Sequence, residues 1–372
     1  MLTLKRSPLP AFSKVAMPFD FDATRYRKWI ELSRLNHPKV SVMSFNLLSQ
    51  HYVWKQVFGY LDQRYLDWRY RLPLINETIA QFSCDIMCFQ ELESQLYSCQ
   101  WQKHFPLKNY ALYYIRKPNP AYWGDKPVEH MDGVGIFVNQ NRFDVVSHRE
   151  IIFRDYILQH KLRFDFTQDL SERVVLRNTV GLLLKLRDKL SNKVLYVTNT
   201  HLYWLPKYND VKLLQTKLLL NELKRFIAKD NEDAAHANIV MCGDFNSTPD
   251  SLVYNYLKGK PIDVCHSKEF KDYDYGRLFD GEKCSDEIKS SVHVAPAYAA
   301  LLEENTSETL DFTSFTRSLT AVLDHIWFST DNLQVCKVLG KVDPDYSGKA
   351  LGFPDKQFPS DHIPLVAELS YQ

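Results

Sequence analysis

The sequence predicts an α/β protein built on layered β-sheet. Two observations carry this: short apolar runs of strand length recur along the chain, and stretches of helical period separate several of them. A third observation points to a site, because many of the runs end in polar groups. The clearest is Ile239-Val240-Met241-Cys242-Gly243-Asp244-Phe245-Asn246. Residues 239–242 read as a buried strand, and Gly243 with the Ser247-Thr248-Pro249-Asp250 cluster reads as its exit turn. Asp244 and Asn246 leave the strand's carboxyl end two positions apart, on the same side of an extended backbone. That pairs a candidate general base with an amide able to donate to a developing negative charge. Alone, the cluster is equally a capped turn, with Thr248-Pro249 as a helix start. Its repetition at other strand ends favours chemistry.

Taken in order, residues 39–48 largely alternate apolar and polar side chains like a half-buried strand and carry Asn46 near the end. Between Tyr65 and Gln81, Leu66, Trp68, Leu72, Leu74, Ile75 and Ile79 predict an amphipathic helix despite Pro73. Within it, Trp68-Arg69-Tyr70-Arg71 serves equally as a solvated face or as a phosphate contact. The run 85–91 ends in Gln90-Glu91. A carboxylate at the mouth of a buried strand is costly to hold away from water or a partner, so Glu91 suits a hard cation. A lone Glu there would be a loop acid ahead of a helix from Ser94, and Glu91 gains weight only in company.

Residues 111–117 and 133–139 read as strands, and 140–176 as a charged excursion. Residues 179–186 and 193–201 predict a hairpin whose second strand ends on His201, an imidazole able to bind a phosphoryl oxygen or to serve as a satisfied turn residue. Asn209 and Asp210 are expected to cap a helix with Val211, Leu214, Leu218 and Phe226 on its core face. Residues 230–237 form a polar loop, 259–290 a second loop-rich excursion and 295–304 a short helix. Asp324 opens a strand, and Asp361-His362 precedes the last one. In a catalytic reading Asp324 accepts a hydrogen bond from His362 and fixes its tautomer; otherwise Ser360-Asp361 is a turn before Pro364.

Lys+Arg 46 against Asp+Glu 45 leaves a net charge of +1, so any nucleic acid must be met by a local groove and not by a basic surface overall. Hydrophobic residues at 45% and charged ones at 24% suit a globular chain with a substantial core. The 7 cysteines, odd in number and without CxxC pairs, predict reduced thiols in an intracellular compartment, with Cys84 and Cys88 in the core. No apolar run reaches transmembrane length. Residues 1–38 are expected to be an N-terminal tail ahead of a domain at 39–372. Lys5, Arg6 and Lys14 precede the first acid, Asp20, which fits either a mitochondrial targeting segment or an unstructured basic tail. Mitochondrial and cytoplasmic locations both stay open, and a monomer is expected.

Asn46, Glu91, His201, Asp244, Asn246, Asp324, Asp361 and His362 all lie at the ends of apolar segments, which predicts one cleft across a sheet edge. Acids and amides without a Cys₂His₂ set favour Mg²⁺ or Mn²⁺ over zinc, and phosphate-ester hydrolysis as the chemistry. The ordered motifs Ser44-Phe45-Asn46-Leu47-Leu48, Cys88-Phe89-Gln90-Glu91, Asn199-Thr200-His201-Leu202-Tyr203-Trp204, Gly243-Asp244-Phe245-Asn246-Ser247, Leu323-Asp324-His325-Ile326 and Ser360-Asp361-His362-Ile363-Pro364-Leu365 resemble those of the endonuclease/exonuclease/phosphatase superfamily. Asp132-Gly133-Val134-Gly135-Ile136-Phe137 adds to the match. Within the superfamily, the chain is similar to the carbon-catabolite-repression deadenylase, nocturnin and Angel group, above all to fungal Ngl-type RNA exonucleases.

The resemblance implies a four-layer α/β sandwich, two mainly antiparallel sheets flanked by helices. It also implies a Mg²⁺-dependent ribonuclease acting on single-stranded RNA and releasing nucleoside 5′-monophosphates from a 3′ end. By the same resemblance Glu91 holds the metal with support from Asn46, Asp244 activates water and Asn246 orients it. His362, set by Asp324, and His201 donate to phosphoryl oxygens, and Asp361 assists at the metal or leaving group. Trp204 and Tyr203 are candidates for base stacking. No leucine-rich repeat precedes these motifs, so recruitment through one is not expected. Leu319 stands where the deadenylases present an aromatic to adenine, which puts a poly(A) preference in doubt. Two other readings remain: a phosphatase or phosphodiesterase on a terminal 2′- or 2′,3′-cyclic phosphate or small ester, and an RNA-binding adaptor without turnover.

Overall fold

The computed structural model describes residues 20–372 except 34–36, 230–232, 265, 279–281, 284–286 and 304–307. Its main elements in chain order are β1 (Arg27–Glu31), β2 (Lys39–Asn46), α1 (Trp68–Phe82), β3 (Ile86–Glu93), β4 (Tyr110–Arg116), β5 (Asp132–Asn139) and β6 (Phe143–Ile152). There follow β7 (Val180–Asp188), β8 (Val194–His201), α2 (Asn209–Ala228), β9 (Ile239–Asp244), α3 (Leu252–Leu257), β10 (Val294–Pro296), β11 (Asp324–Ser329), β12 (Leu333–Val342) and β13 (Leu365–Tyr371).

A seven-stranded sheet runs in the order β1-β12-β13-β2-β3-β5-β4, and a six-stranded sheet in the order β10-β11-β9-β8-β7-β6. Only β2–β3 and β8–β9 pair in parallel; every other neighbouring pair in these two sheets is antiparallel. Val42, Cys88 and Ile136 of the first sheet meet Leu182, Val197, Val240 and Cys242 of the second in a buried inter-sheet core. The residues between them in sequence point the other way: Met43, Met87 and Phe89 pack under Leu72, Ile75 and Ile79 of α1. Ile239 and Met241 likewise pack under Leu214 and Leu218 of α2. Each central strand is thus covered on both faces, which is why it reads as a continuous apolar run. Helix, sheet, sheet and helix make the four layers expected.

Several elements differ from the sequence reading. The expected tail 1–38 contributes β1 to the first sheet, pairing with β12. Arg27 secures it, its buried guanidinium donating to Gly340 O, Leu339 O and Pro364 O. Lys5, Arg6 and Lys14, on which the targeting reading rests, lie outside the described residues. The excursion at 140–176 contains β6, a sheet-edge strand whose exposed positions carry charges and mask its period. Residues 294–296 pair with β11 as strand β10 before the short helix expected at 295–304 begins. Helix α2 is preceded by Tyr208, which makes no side-chain cap; Asp210 instead takes a bidentate bond from Arg173. Cys84, Cys88, Cys99, Cys242 and Cys336 are free thiols, the first two buried as expected. Cys265 and Cys284 lie outside the described side chains. No described helix is long and apolar enough to cross a membrane.

Candidate active site

The two parallel pairs bring the carboxyl ends of β2, β3, β8 and β9 to one edge of the sandwich, and the antiparallel neighbours bring the starts of β5, β11 and β13 to the same edge. Register fixes the meeting: His201 and Asp324 both lie opposite Asp244, on either side of β9. The sheets are joined just beneath. Gln90 Nε2 donates to Asn199 Oδ1 (2.8 Å), and Asn199 Nδ2 donates to Phe89 O and Gly135 O (2.9 and 2.8 Å). These buried bonds hold one strand end to another across the sandwich.

Asn46 bridges the two halves of the site. Its Nδ2 donates to Glu91 Oε1 (3.1 Å) and to Asp244 Oδ2 (3.0 Å), while its Oδ1 accepts from Leu48 N (3.0 Å). The Leu48 bond fixes which end of the amide faces the carboxylates. In this geometry Asn46 holds Glu91 and Asp244 in place and offers them its nitrogen. Glu91 Oε2 accepts from Ser49 N (2.9 Å). Glu91, Leu48 and Asn246 sit at φ of 53°, 53° and 47°, a left-handed conformation that is strained for non-glycine residues. At Glu91 this coincides with a register shift between Phe89 and Leu92 in the β3–β5 ladder.

On the second sheet, Asp244 Oδ2 lies 3.6 Å from His201 Nε2 and 3.8 Å from His362 Nε2. Burial acts to raise the Asp244 carboxyl, yet the two imidazoles, the Asn246 N–H (2.9 Å) and the Asn46 amide hold it below its ordinary value. His362 Nδ1 faces Asp324 Oδ2 at 2.7 Å, and Thr313 Oγ1 donates to the same oxygen at 2.6 Å. Burial opposes a charged His362, but Asp324, Asp361 and Asp244 carry it well above the ordinary imidazole range. His201 goes the opposite way. Burial and then the Lys117 ammonium push it down to about 4. Lys117 Nζ lies 3.3 Å from His201 Nδ1 and can only donate, so the ring's proton sits on Nε2, facing Asp244. Lys117 is itself paired with Asp132 (2.7 Å), which also accepts from Tyr52 OH (2.9 Å).

The donor set fits a hard divalent cation at Glu91. Burial, then the Asp361 and Asp132 carboxylates, push Glu91 up to about 8, the mark of crowded negative charge that a cation would relieve. Asp244, Asp324 and His362 also group within 4.8 Å. There the 2.7 Å Asp324–His362 bond engages Nδ1 of the imidazole and Oδ2 of Asp324, leaving His362 Nε2 towards Asp244 and Asp324 Oδ1 without a partner among the described residues. Asp361 is half-buried beside this group, and Ser360 Oγ ties its segment to β2 by donating to Asn46 O (2.7 Å).

The remaining predicted residues divide. Asn246 Nδ2 donates to Leu202 O (3.1 Å), while Lys212 Nζ donates to Asn246 O (2.7 Å) and fixes the turn. Trp204 is 56% exposed. Tyr203 is anchored, its hydroxyl accepting from Arg177 NH1 at 3.0 Å. Arg71 proves to be a fully buried anchor, donating to Leu47 O (2.9 Å), Leu48 O (2.8 Å) and Pro359 O (3.2 Å) behind the site. The sequence reading gave no site role to Lys117, Asp132 or Thr313, although Asp132 opens one of the matching motifs. Lys117 and Asp132 carried the same mark as the others, a charged residue at the end of an apolar run.

The sandwich and its polar edge define a class, the layered α/β proteins whose polar groups converge where two sheets abut. Residues 43–362 match the Endonuclease/Exonuclease/phosphatase family, and the chain belongs to that family. It is 32% identical over 371 residues to the CCR4-Not complex 3′-5′-exoribonuclease subunit Ccr4 of Candida albicans, covering 98% of this chain and 45% of that protein. It is 32% identical over 336 residues to the subunit of the same name from Saccharomyces cerevisiae, covering 89% and 38%. The chain thus spans less than half the length of these curated relatives. Among solved structures it resembles ANGEL2, a 2′,3′-cyclic phosphatase, in complex with adenosine-2′,3′-vanadate (TM-score 0.72, 24% identity, 93% of this chain and 98% of that one). It also resembles the human Nocturnin catalytic domain with bound sulfate (TM-score 0.63, 23% identity, 95% and 100%). At these identities the two structures speak for the fold.

Proposed function

We propose that this chain is a Mg²⁺-dependent phosphodiesterase that shortens single-stranded RNA from its 3′ end and releases nucleoside 5′-monophosphates. The observation that carries the reading is the setting of Asp244, whose Oδ2 lies 3.6 Å from His201 Nε2 and 3.8 Å from His362 Nε2, with burial and Lys117 pushing His201 down and the surrounding carboxylates carrying His362 up. Asp244 takes the proton of the attacking water. Asn246, on the turn that follows, orients that water. His201, with its proton on Nε2, and His362, held as imidazolium by Asp324, donate to the phosphoryl oxygens as charge builds on them. A cation bound by Glu91, which Asn46 holds from behind, would neutralise phosphoryl charge and lower the pKa of a bound water, with Asp361 beside it at the leaving group. Mn²⁺ satisfies the same oxygen donors. The similarity to the Ccr4 exoribonuclease subunits supports RNA as substrate.

The products test this reading. Chromatography of a digest of unlabelled single-stranded RNA is expected to yield nucleoside 5′-monophosphates. Release of a terminal phosphate with the chain left intact would replace it with the cyclic-phosphatase reading, and binding without any product would leave an adaptor.

A further inference from the structure

We propose that an arc of aromatic side chains around Lys117 is a stacking surface that receives the unpaired bases of the RNA substrate next to the catalytic cluster; this rests on the hydrolase reading above. Among the described residues four large aromatic rings are counted as exposed: Trp54 (45%), Tyr122 (69%), Phe166 (43%) and Trp204 (56%). Three of them lie close in sequence to residues of the site: Trp54 follows Tyr52, Tyr122 lies in a short turn after Lys117, and Trp204 follows His201. Rings of this size left in water forgo the stabilisation of burial, and several of them on segments that flank one site mark a binding surface.

The rings fall in groups linked through Lys117, which lies against Tyr52 and 3.3 Å from His201 Nδ1. The Trp54 ring meets that of Tyr52 edge-on, with centroids 6.0 Å apart. Tyr52 is pinned by its hydrogen bond to Asp132 (2.9 Å), and Lys117 Nζ lies 5.9 Å from its ring centroid. Tyr122 comes next. It precedes Trp123, whose ring centroid lies 4.4 Å from that of His51, itself 5.2 Å from that of Tyr52. Tyr203 follows, with Arg177 bonded to its hydroxyl and lying 4.7 Å over its ring. Trp204 ends the arc, 6.3 Å from Tyr203 between ring centroids. Tyr52 and Tyr203 are fixed by side-chain bonds, so the exposed rings are mounted on rigid supports and little ordering is left for the substrate to drive.

This arrangement suits single-stranded RNA. Stacking needs a base whose face is not covered by a paired neighbour, and cations between the rings suit a phosphate backbone. Arg177, at the ring of Tyr203, is the cation so placed; Lys117 is buried in its pair with Asp132 and touches His201, so a strand lying on the arc runs directly into the catalytic groups. Every base offers a π-face, so the surface grips without reading sequence, in keeping with Leu319 in the turn that joins the paired residues Ser314–Phe315 and Thr320–Ala321.

The test measures binding and turnover separately with the full chain. Trp54→Ala, Tyr122→Ala and Trp204→Ala, singly and together, are titrated in EDTA with 5′-fluorescent oligouridylates of two and ten nucleotides and with a ten-base-pair RNA duplex. Each single change is expected to weaken decamer binding about tenfold, with the dinucleotide affected least by Trp54→Ala. Parent protein should bind the single strand more tightly than the duplex. Equal decamer affinity in the triple variant, or a parent that prefers duplex, overturns the arc. Metal-dependent RNA hydrolysis is assayed on the same preparations: ring-independent binding with intact hydrolysis sinks only the arc, and ring-dependent binding without hydrolysis sinks only the hydrolase reading.

Discussion

His362 and Asp324 form a buried pair at 2.7 Å whose imidazole presents its other nitrogen 3.8 Å from Asp244. The pair lies across two strands of different sheets: Asp324 opens β11 of the second, and His362 precedes β13 of the first. Aligning it therefore requires the whole sandwich to be assembled. Thr313, which donates to Asp324, precedes a short hairpin in which Ser314–Phe315 pairs with Thr320–Ala321, and Ser314 in turn bridges to His362.

Asp324→Asn should leave the fold intact and lower kcat by about 10²–10⁴, the range expected for losing a positioned proton donor. The pH profile separates this from a structural effect. His362 is held above the ordinary imidazole value, so it keeps its proton into neutral and mildly alkaline solution. Without the Asp324 charge, the alkaline limb of kcat should move to lower pH.

Metal binding should compete with protons at Glu91, which burial and the neighbouring Asp361 and Asp132 carboxylates push up to about 8. Apparent Mn²⁺ affinity should rise about tenfold per unit from pH 6 to 8 and level off above, because the ligand must be deprotonated. Titrations followed by electron paramagnetic resonance read this directly, and Glu91→Gln should abolish the dependence along with tight binding.

Lys117→Gln tests the buried relay. His201 is pushed down to about 4, by burial and then by Lys117, so its neutral form costs the fold nothing above pH 6.5, and stability falls as pH drops from 6.5 towards 4. Removing the ammonium should raise the His201 midpoint, seen by NMR of the imidazole, and narrow that acid-labile window. Turnover should fall at the same time, as the Nε2–H tautomer is no longer enforced.

Arg71→Met should destabilise the protein by about 3 kcal/mol in urea unfolding, since buried carbonyls bonded to a charged donor lose it. Leu47, Leu48 and Pro359 flank Asn46 and Asp361, so catalysis should weaken even where the protein remains folded.

The central layers were legible because covered strands read as unbroken apolar runs, and the site because such runs can end only in turns or in polar groups that meet something. Val42 and Met43 face opposite cores yet are both apolar, which announces a strand covered on both faces. Asp244, His201 and Asp324 were found at strand ends without knowing that register would align them. What period and composition could not convey was pairing at a distance. Arg71 falls at a position where helical spacing cannot tell a buried guanidinium from a solvated one; only the carbonyls of β2's exit and of Pro359 make it buried. Asp210 looked like a cap because its partner, Arg173, is remote in sequence. Strands β1 and β6 are sheet edges, with too little buried on one face to produce a clear alternation. Lys117 follows β4 and Asp132 opens β5, and the two gain meaning only as a pair.

The central claim is tested most directly by a time course on a 5′-labelled single-stranded RNA with a mixed body and an A-tail, run with Mg²⁺, with EDTA and with Glu91→Ala. A Mg²⁺-dependent ladder shortening from the 3′ end, absent with EDTA and in the variant, is the predicted result, and its pauses report whether A is preferred despite Leu319. Intact RNA in every lane, or the same ladder from the Glu91→Ala protein, would contradict the account.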